Sequence, residues 1–260
     1  MCQLLGMNCN TPTDIVFSFT GFATRGGLTD EHKDGWGIAF FEGRGARLFV
    51  DHLPAVSSPV AELIKRYPIK SENVIAHIRK ATQGEVSLEN CHPFIRECWG
   101  RYWVFAHNGD LKAFEPTLKG SFLPVGTTDS ERAFCYLLQS MREQFGDQAP
   151  SSGELARFLQ ARCGEIAAHG TFNMMLSNGE ALFTHCSTKL HYIVRQFPFP
   201  VASLSDEDMS VDFAEVTTPR DKVAVIVTEP LTSNENWTQY APGDFKVFVQ
   251  GDVLMPETWQ

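Results

Sequence analysis

A cysteine in second place sets a thiol one residue from an amino terminus. Removal of Met1 is sterically favoured when the next side chain is small, and it would leave Cys2 with a thiol and a free α-amine. Their reference pKa values, ~8.5 and ~7.7–8.0, lie close enough for a proton to pass between them almost isoenergetically. One residue then holds both nucleophile and base, the device of N-terminal nucleophiles. A cysteine there is equally an ordinary small apolar residue opening a strand. Its meaning depends on what the rest of the chain brings to it.

Three further motifs each adjoin a predicted element. His77-Ile78-Arg79-Lys80-Ala81-Thr82-Gln83-Gly84 follows an apolar run, His107-Asn108-Gly109 follows another, and Gly126-Thr127-Thr128-Asp129-Ser130-Glu131 precedes a helical pattern. The guanidinium of Arg79 suits a carboxylate through paired hydrogen bonds, and the carboxylate of Asp129 suits an ammonium group. Together they could clamp both α-substituents of an amino acid. Asn108 and the Gly109 amide could supply donors to an oxyanion, and one such donor is typically worth ~2.7–4 kcal/mol in the transition state. Each residue also has a plainer reading. Arg79 and Asp129 can be partly buried charges, Asn108-Gly109 a turn, Trp36 a core residue, and Asp129 a helix N-cap.

In this order, with a position-2 cysteine, the motifs resemble those of class II glutamine amidotransferases, in the stand-alone YafJ-like branch. Asp34-Gly35-Trp36-Gly37 and the late segment Thr228-Glu229-Pro230-Leu231-Thr232-Ser233-Asn234-Glu235-Asn236-Trp237 add to the resemblance. It extends from Cys2 to about the end of the chain. It implies Cys2 as nucleophile, Asn108 and Gly109 as oxyanion hole, and Arg79, Thr82 and Asp129 as ligands of the glutamine head group. Gln83 and His107 would line the same site. It also implies an α+β fold, the four-layer αββα sandwich of N-terminal-nucleophile hydrolases, with no metal or organic cofactor. The chain departs from many relatives that carry a synthase module. Lys80 stands where they have an aromatic residue, Gln83 where they have a histidine, and no second catalytic domain is expected. The implied substrate is glutamine, cleaved for a separate ammonia-accepting partner protein, or a small γ-glutamyl amide.

The elements that must position these residues are partly legible. Cys2–Met7 reads as a first strand. Thr11-Pro12-Thr13-Asp14 announces a helix through a Thr N-cap, Pro at N1 and an acidic N3. Ile15, Val16, Phe19, Phe22 and Ala23 continue it on one face, up to Gly26-Gly27. Ile38–Phe41, Arg47–Val50, Val74–Ile78 and Tyr102–Ala106 read as strands. Between Asp129 and Ala168 the spacing of Ala133, Phe134, Leu137, Leu138 and Met141, and of Leu155, Phe158, Leu159 and Ile166, predicts a pair of helices. Strands return with Phe172–Leu176 and Leu182–His185 around the hairpin signal Asn178-Gly179, then Leu190–Arg195, Val223–Thr228 and Phe245–Val249. Strands, a helical pair and more strands suggest packed sheets with helices on the outer faces, in one domain over residues 1–260.

Composition narrows the classes. With 43% hydrophobic residues and 20 Phe among 260 residues, the chain can bury a substantial core. The formal charge of −9 argues against a phosphate-backbone partner, so no nucleic acid is expected. No apolar run approaches the ~20 residues of a membrane span, and Ile15–Ala23 lacks the preceding basic residues of a secretory signal. Seven cysteines, an odd number, do not form a small secreted disulfide framework, so a cytoplasmic setting is expected. No CxxC, HxxxH or HExxH pattern suggests a metal site. Two other functions stay open. One is a conventional Cys-His hydrolase built on Cys91 or Cys98 with His92 or His107. The other is a catalytically silent sensor or regulatory subunit for glutamine or a γ-glutamyl peptide, favoured if Met1 is retained and acylates the Cys2 amine.

Overall fold

The computed structural model describes residues 2–81 and 85–254. In chain order the strands and helices are β1 (Gln3–Thr13), α1 (Val16–Thr24), β2 (Trp36–Glu42), β3 (Gly45–Asp51), α2 (Pro59–Arg66), β4 (Ser71–Ile78), β5 (Phe94–Cys98), β6 (Arg101–Leu111), α3 (Asp129–Phe145) and α4 (Ser152–Ala167). There follow β7 (Gly170–Ser177), β8 (Ala181–His185), β9 (His191–Gln196), β10 (Val201–Ser203), β11 (Ser210–Asp212), α5 (Phe213–Val216), β12 (Lys222–Val227), β13 (Thr238–Gln239), β14 (Phe245–Val249) and β15 (Asp252–Leu254).

Strand alternation sorts the apolar residues into layers. On β1, Leu5, Met7 and Cys9 face a core shared with Phe19 and Phe22 of α1 and Ile64 of α2. Leu4 faces the opposite way, into a core with Val104 and Ala106 of β6, Met175 of β7 and Phe248 of β14. A third core packs Phe105, Phe172 and Phe183 of the second sheet against Phe134, Leu137, Leu138 and Met141 of α3 and Leu155 and Leu159 of α4. The result is helix, sheet, sheet, helix: the expected αββα sandwich. The seven-stranded sheet has the order β13-β9-β12-β1-β4-β2-β3 and the six-stranded sheet β15-β14-β8-β7-β6-β5. The pairings within both are antiparallel.

The helical pair forms where its spacing places it. Thr128 caps α3 by accepting the Glu131 amide, and Ser151 with Glu154 forms a capping box on α4. The Phe105 and Phe134 rings stack 5.1 Å apart, tying α3 to the sheet beneath it. Asn178 accepts the amides of Glu180 and Ala181, and Gly179 takes a φ of +89°, as a tight β7–β8 hairpin demands.

The first helix differs from its expected start. β1 continues through Thr11-Pro12 to Thr13, and α1 begins only at Val16, after Ile15, with Asp14 accepting the Val16 amide. The register of β1 against β4 shifts between Asn8 and Thr13, and the chain there is largely exposed, so Pro12 deprives no regular ladder of a donor. The short α2, opened by Ser58 and Pro59, was not expected from the periodicity; its amphipathic run spans barely two turns.

Two polar features are buried within these layers. Arg195 of β9 and Glu235 form a bidentate ion pair at 2.9 and 2.6 Å, with side chains only 5% and 2% exposed. Glu235 also accepts the Thr232 hydroxyl, which in turn accepts the Trp237 indole N–H. His77 of β4 and His92 stack with ring centroids 4.2 Å apart. None of their four ring nitrogens makes a hydrogen bond of ordinary geometry among the described residues. Burial pushes the His77 pKa down to about 3 and that of His92 well below the usual imidazole range, with neighbouring positive groups adding to the effect.

Removing one partner of the Arg195–Glu235 pair strands a buried charge. Glu235→Ala should therefore lower stability by ~3–5 kcal/mol in urea denaturation, and Arg195→Met with Glu235→Leu should recover much of the loss. Unchanged stability in the single variant contradicts this account. The buried imidazoles predict acid sensitivity. The unfolded chain takes up their protons below about pH 6.5, whereas folded His77 resists protonation until about pH 3. Stability should thus fall as pH drops from about 6.5 toward 3, by up to ~1.4 kcal/mol per pH unit per imidazole. His77→Phe should flatten that slope by one proton, measured by denaturation at pH 7 and pH 5; an unaltered slope rules the assignment out.

Candidate functional site

The end of the β1–β4 ladder sets the site. Gln3 pairs with Ile78, so the next step brings Cys2 against the Arg79-Lys80 backbone. The Lys80 amide donates to the Cys2 sulfur at 3.2 Å, and the Lys80 carbonyl lies 3.3 Å from the same atom, placed to accept S–H. Cys2 is half-buried. Desolvation raises its thiol pKa, against the opposing pull of the Lys80 amide and the Arg79 charge, and Asp34 adds a smaller upward push.

The second sheet meets Cys2 from the other side. Asn108 of β6, fully buried, donates its Nδ2 to the Cys2 carbonyl at 2.6 Å and lies 3.5 Å from the Thr228 hydroxyl. Thr228 accepts the Leu4 amide at 3.0 Å, tying β1 to the segment after β12. Asn173 of β7 fixes the Asn108 backbone by donating its Nδ2 to the Asn108 carbonyl at 3.1 Å. Gly109 has to be glycine, since a Cβ there would run into the Thr171 carbonyl and the His107 ring.

Arg79 is 3% exposed. Its backbone is clasped by the Asp34-Gly35 turn: the Arg79 amide donates to the Gly35 carbonyl at 2.8 Å, and the Asp34 amide donates to the Arg79 carbonyl at 3.2 Å. The Asp34 carboxylate accepts the Ala81 amide at 2.7 Å. The Asp34-Gly35-Trp36-Gly37 motif thus braces the loop that carries Arg79 and Lys80. The Arg79 side chain donates Nη1 to the Glu85 carbonyl at 2.9 Å. Thr82 and Gln83, expected at the head-group site, lie outside the described residues.

Asp129 is the first residue of α3, and Thr128 rather than Asp129 is the N-cap. Its carboxylate accepts the amides of Leu111, at 2.7 Å, and Ser130, at 2.8 Å. Two of its roughly four acceptor positions are therefore used within the protein. His107 is buried, with Nδ1 against the Ser130 hydroxyl at 2.8 Å and Nε2 against the Thr171 carbonyl at 3.0 Å. A carbonyl can only accept, so Nε2 carries the proton and Nδ1 accepts from Ser130. Burial lowers the His107 pKa, with Asp129 opposing, which keeps that neutral form. His107 holds α3 against β6 and has no ring nitrogen left for the thiol.

The structure thus brings Cys2, Arg79, Lys80 and Asn108 together, and anchors Asp129 beside the end of β6. Thr228, Glu85 and Asn90 were not singled out from sequence; Thr228 alone carried a signal, as the first residue of the late segment. The Cys-His alternative gains no support. Cys91 bonds the carbonyls of Asp51 and Ser87, and burial pushes its thiol up to about 11 and that of Cys98 up to about 12. Among the described residues no group of three or more His, Cys, Asp or Glu could hold a metal ion, and no helix is long and apolar enough to cross a membrane. A cavity of about 460 Å³ opens elsewhere, between β12, the start of α1 and α5, and no expected site residue lines it.

The profile of class II glutamine amidotransferases matches residues 1–259. The chain is 50% identical to Escherichia coli YafJ, a glutamine amidotransferase by provisional name, over 98% of this chain and 100% of that one. A crystal structure of a predicted glutamine amidotransferase from Pseudomonas aeruginosa covers 98% of the chain at 49% identity with a TM-score of 0.79. The glutamine phosphoribosylpyrophosphate amidotransferase of B. subtilis shares the fold at 12% identity, with a TM-score of 0.59 over 97% of this chain and 48% of its own. The chain belongs to the class II glutamine amidotransferase family.

Proposed function

We propose that this protein cleaves the side-chain amide of glutamine, or of a small γ-glutamyl compound, with Cys2 as the nucleophile. The observation that carries the reading is convergence on one residue, Cys2. The Lys80 peptide contacts the thiol and Asn108 contacts the same residue's carbonyl, across separations of 78 and 106 residues. Among the described residues no imidazole is hydrogen-bonded to the thiol, which favours a base from Cys2 itself. Removal of Met1 frees that amine, and the buried Oδ1 of Asn108, which has no partner among the described residues, is suited to accept from it.

The reaction then runs in two halves. The amine takes the thiol proton as sulfur bonds to the amide carbon, and Asn108 Nδ2 with the Gly109 amide receives the negative oxygen. For this, Nδ2 must turn from the Cys2 carbonyl toward substrate. Collapse breaks the C–N bond, and the protonated amine gives its proton to the departing ammonia or amine. Water next attacks the γ-glutamyl thioester, losing a proton to the same amine, and the regenerated thiol leaves glutamate. Arg79 and Asp129 hold the α-carboxylate and α-amine throughout. These steps are redox-neutral and need neither metal nor organic cofactor. The ammonia passes to water or to a separate acceptor protein. A cytoplasmic setting suits a chain whose seven cysteines are all free.

Amide release should be assayed on protein whose amino terminus has been verified by mass spectrometry. Cys2→Ala should lower turnover by ~10⁴-fold or more while retaining glutamine affinity. Arg79→Ala and Asp129→Ala should each lower kcat/KM by roughly 30- to 10³-fold, as expected when one partner of a buried charge pair is lost. A residue inserted before Cys2 that blocks processing should abolish activity. Full turnover in Cys2→Ala or in the extended protein disproves the mechanism. Glutamine binding without turnover, at a verified free Cys2, identifies a sensor instead.

A further inference from the structure

The two residues proposed to grip the substrate head group sit on different layers, Arg79 at the end of β4 and Asp129 at the start of α3. One buried side chain joins their supports. Asn90, 1% exposed, donates Nδ2 to the Glu85 carbonyl at 3.1 Å, and the same carbonyl receives Arg79 Nη1 at 2.9 Å. Its Oδ1 accepts the Thr127 amide at 2.9 Å, two residues before Asp129, and its Nδ2 lies 3.3 Å from the Thr127 hydroxyl. The amide therefore satisfies a donor on one loop and an acceptor on the other, which neither a carboxylate nor a hydroxyl of that length could match.

The neighbouring contacts reinforce that tie. Glu131, 1% exposed, accepts the Gly126 amide at 2.7 Å and pairs with Arg96 at 2.5 Å, so the 126–128 turn is held from α3 and from β5. Gly126 passes so close to Asn90 Oδ1 and the Glu89 carbonyl that a Cβ there would collide with both. Loops are ordinarily the mobile part of a fold. Here two of them are locked together around one buried amide, beside the pocket in which spacing decides binding.

We propose that Asn90 is a positioning residue that sets the separation of the Arg79 guanidinium and the Asp129 carboxylate, and so selects substrates bearing both an α-carboxylate and an α-amine. This rests on the head-group roles given to Arg79 and Asp129 above. Asn90 itself does not touch the reacting amide. Its loss should relax the grip on the head group and leave the chemistry of the bound substrate almost intact.

The test compares three amides in steady-state assays: glutamine, glutaramic acid, which lacks the α-amine, and 4-aminobutanamide, which lacks the α-carboxylate. In Asn90→Ala, KM for glutamine should rise ~10-fold or more while kcat stays within about 3-fold. The preference for glutamine over each truncated amide should fall by a similar factor, because the parent clamp gains most from a ligand that fills both ends. Asn90→Asp keeps the acceptor for Thr127 and loses the donor to Glu85, so it should chiefly lose discrimination against 4-aminobutanamide. Gly126→Ala, at the partly exposed side of the tie, repeats the KM effect if Asn90→Ala fails to fold. Unchanged KM, or an equal loss of kcat on all three amides, overturns the inference and leaves the proposed function standing. If the parent protein neither turns over nor binds glutamine, as measured by calorimetry on Cys2→Ala, the proposed function fails and this inference with it.

Discussion

The antiparallel pairing of β1 with β4 is the constraint on which the site depends. Among the described residues no side chain holds the Cys2 sulfur; the main chain of Lys80 does so, one step beyond the Gln3–Ile78 pair. A slip of one residue would turn every β1 side chain to the opposite face, sending Leu4 toward the helices and Leu5 toward the second sheet. Both faces of this strand are buried, and Gly6 leaves no slack, since a Cβ there would lie 2.8 Å from the Met175 sulfur. The position of the thiol is thus inherited from the packing of a central strand, which is more rigid than a loop.

The second dependence is the distance between the sheets. The first sheet supplies Cys2 and Arg79, and the second supplies Asn108, Gly109 and the contact that fixes Asp129. The core between them holds small side chains, Ala39, Ala106 and Ala224, among large ones such as Met175, Leu182 and Phe248. That arrangement lets the layers approach until Asn108 reaches the Cys2 carbonyl. Glycine serves the same end where backbone meets backbone: Gly109 against Thr171, and Gly35, with a φ of +106°, against Cys91 and the Asp51 carbonyl. Both belong to motifs legible as motifs in the sequence, and the packing supplies their reason.

Legibility followed the range of the interactions. The α3 face of Phe134, Leu137, Leu138 and Met141 and the Asn178-Gly179 hairpin rest on local periodicity and local turn geometry, so both could be read directly. The Thr11-Pro12 start of a helix was a local signal overruled by a distant one, the pairing of Thr13 with Ser71 at the end of β1. The αββα layering joins distant parts of the chain, and Arg79 and Asn108 stand 77 and 106 residues from Cys2; no spacing rule predicts such groupings, and resemblance to a family supplied them. Asn90 lay beyond both routes. Its shorter contacts are to backbone groups of Glu85 and Thr127, which have no side-chain signature, and a buried asparagine reads in sequence as one more turn residue.

The electrostatics of the thiol narrow the question of which base could serve it. Burial favours the neutral form, and in that form S–H can donate to the Lys80 carbonyl. On ionisation the Lys80 amide and the Arg79 charge both favour the thiolate, so the backbone of one residue, Lys80, is placed to serve either state with little movement. Among the described residues no imidazole is placed to take the thiol proton. His77 and His92 are kept neutral by burial and stacked on one another, and His107 donates to Thr171 and accepts from Ser130. A histidine base would need one of these rings to leave its place in the core. An α-amine on Cys2 needs no such rearrangement, and its reference pKa lies within about a unit of an unperturbed thiol. The same burial that raises the thiol also disfavours a charged ammonium, so the two shifts add and widen the gap for proton exchange, and the attraction between the thiolate and the ammonium beside it must offset that widening.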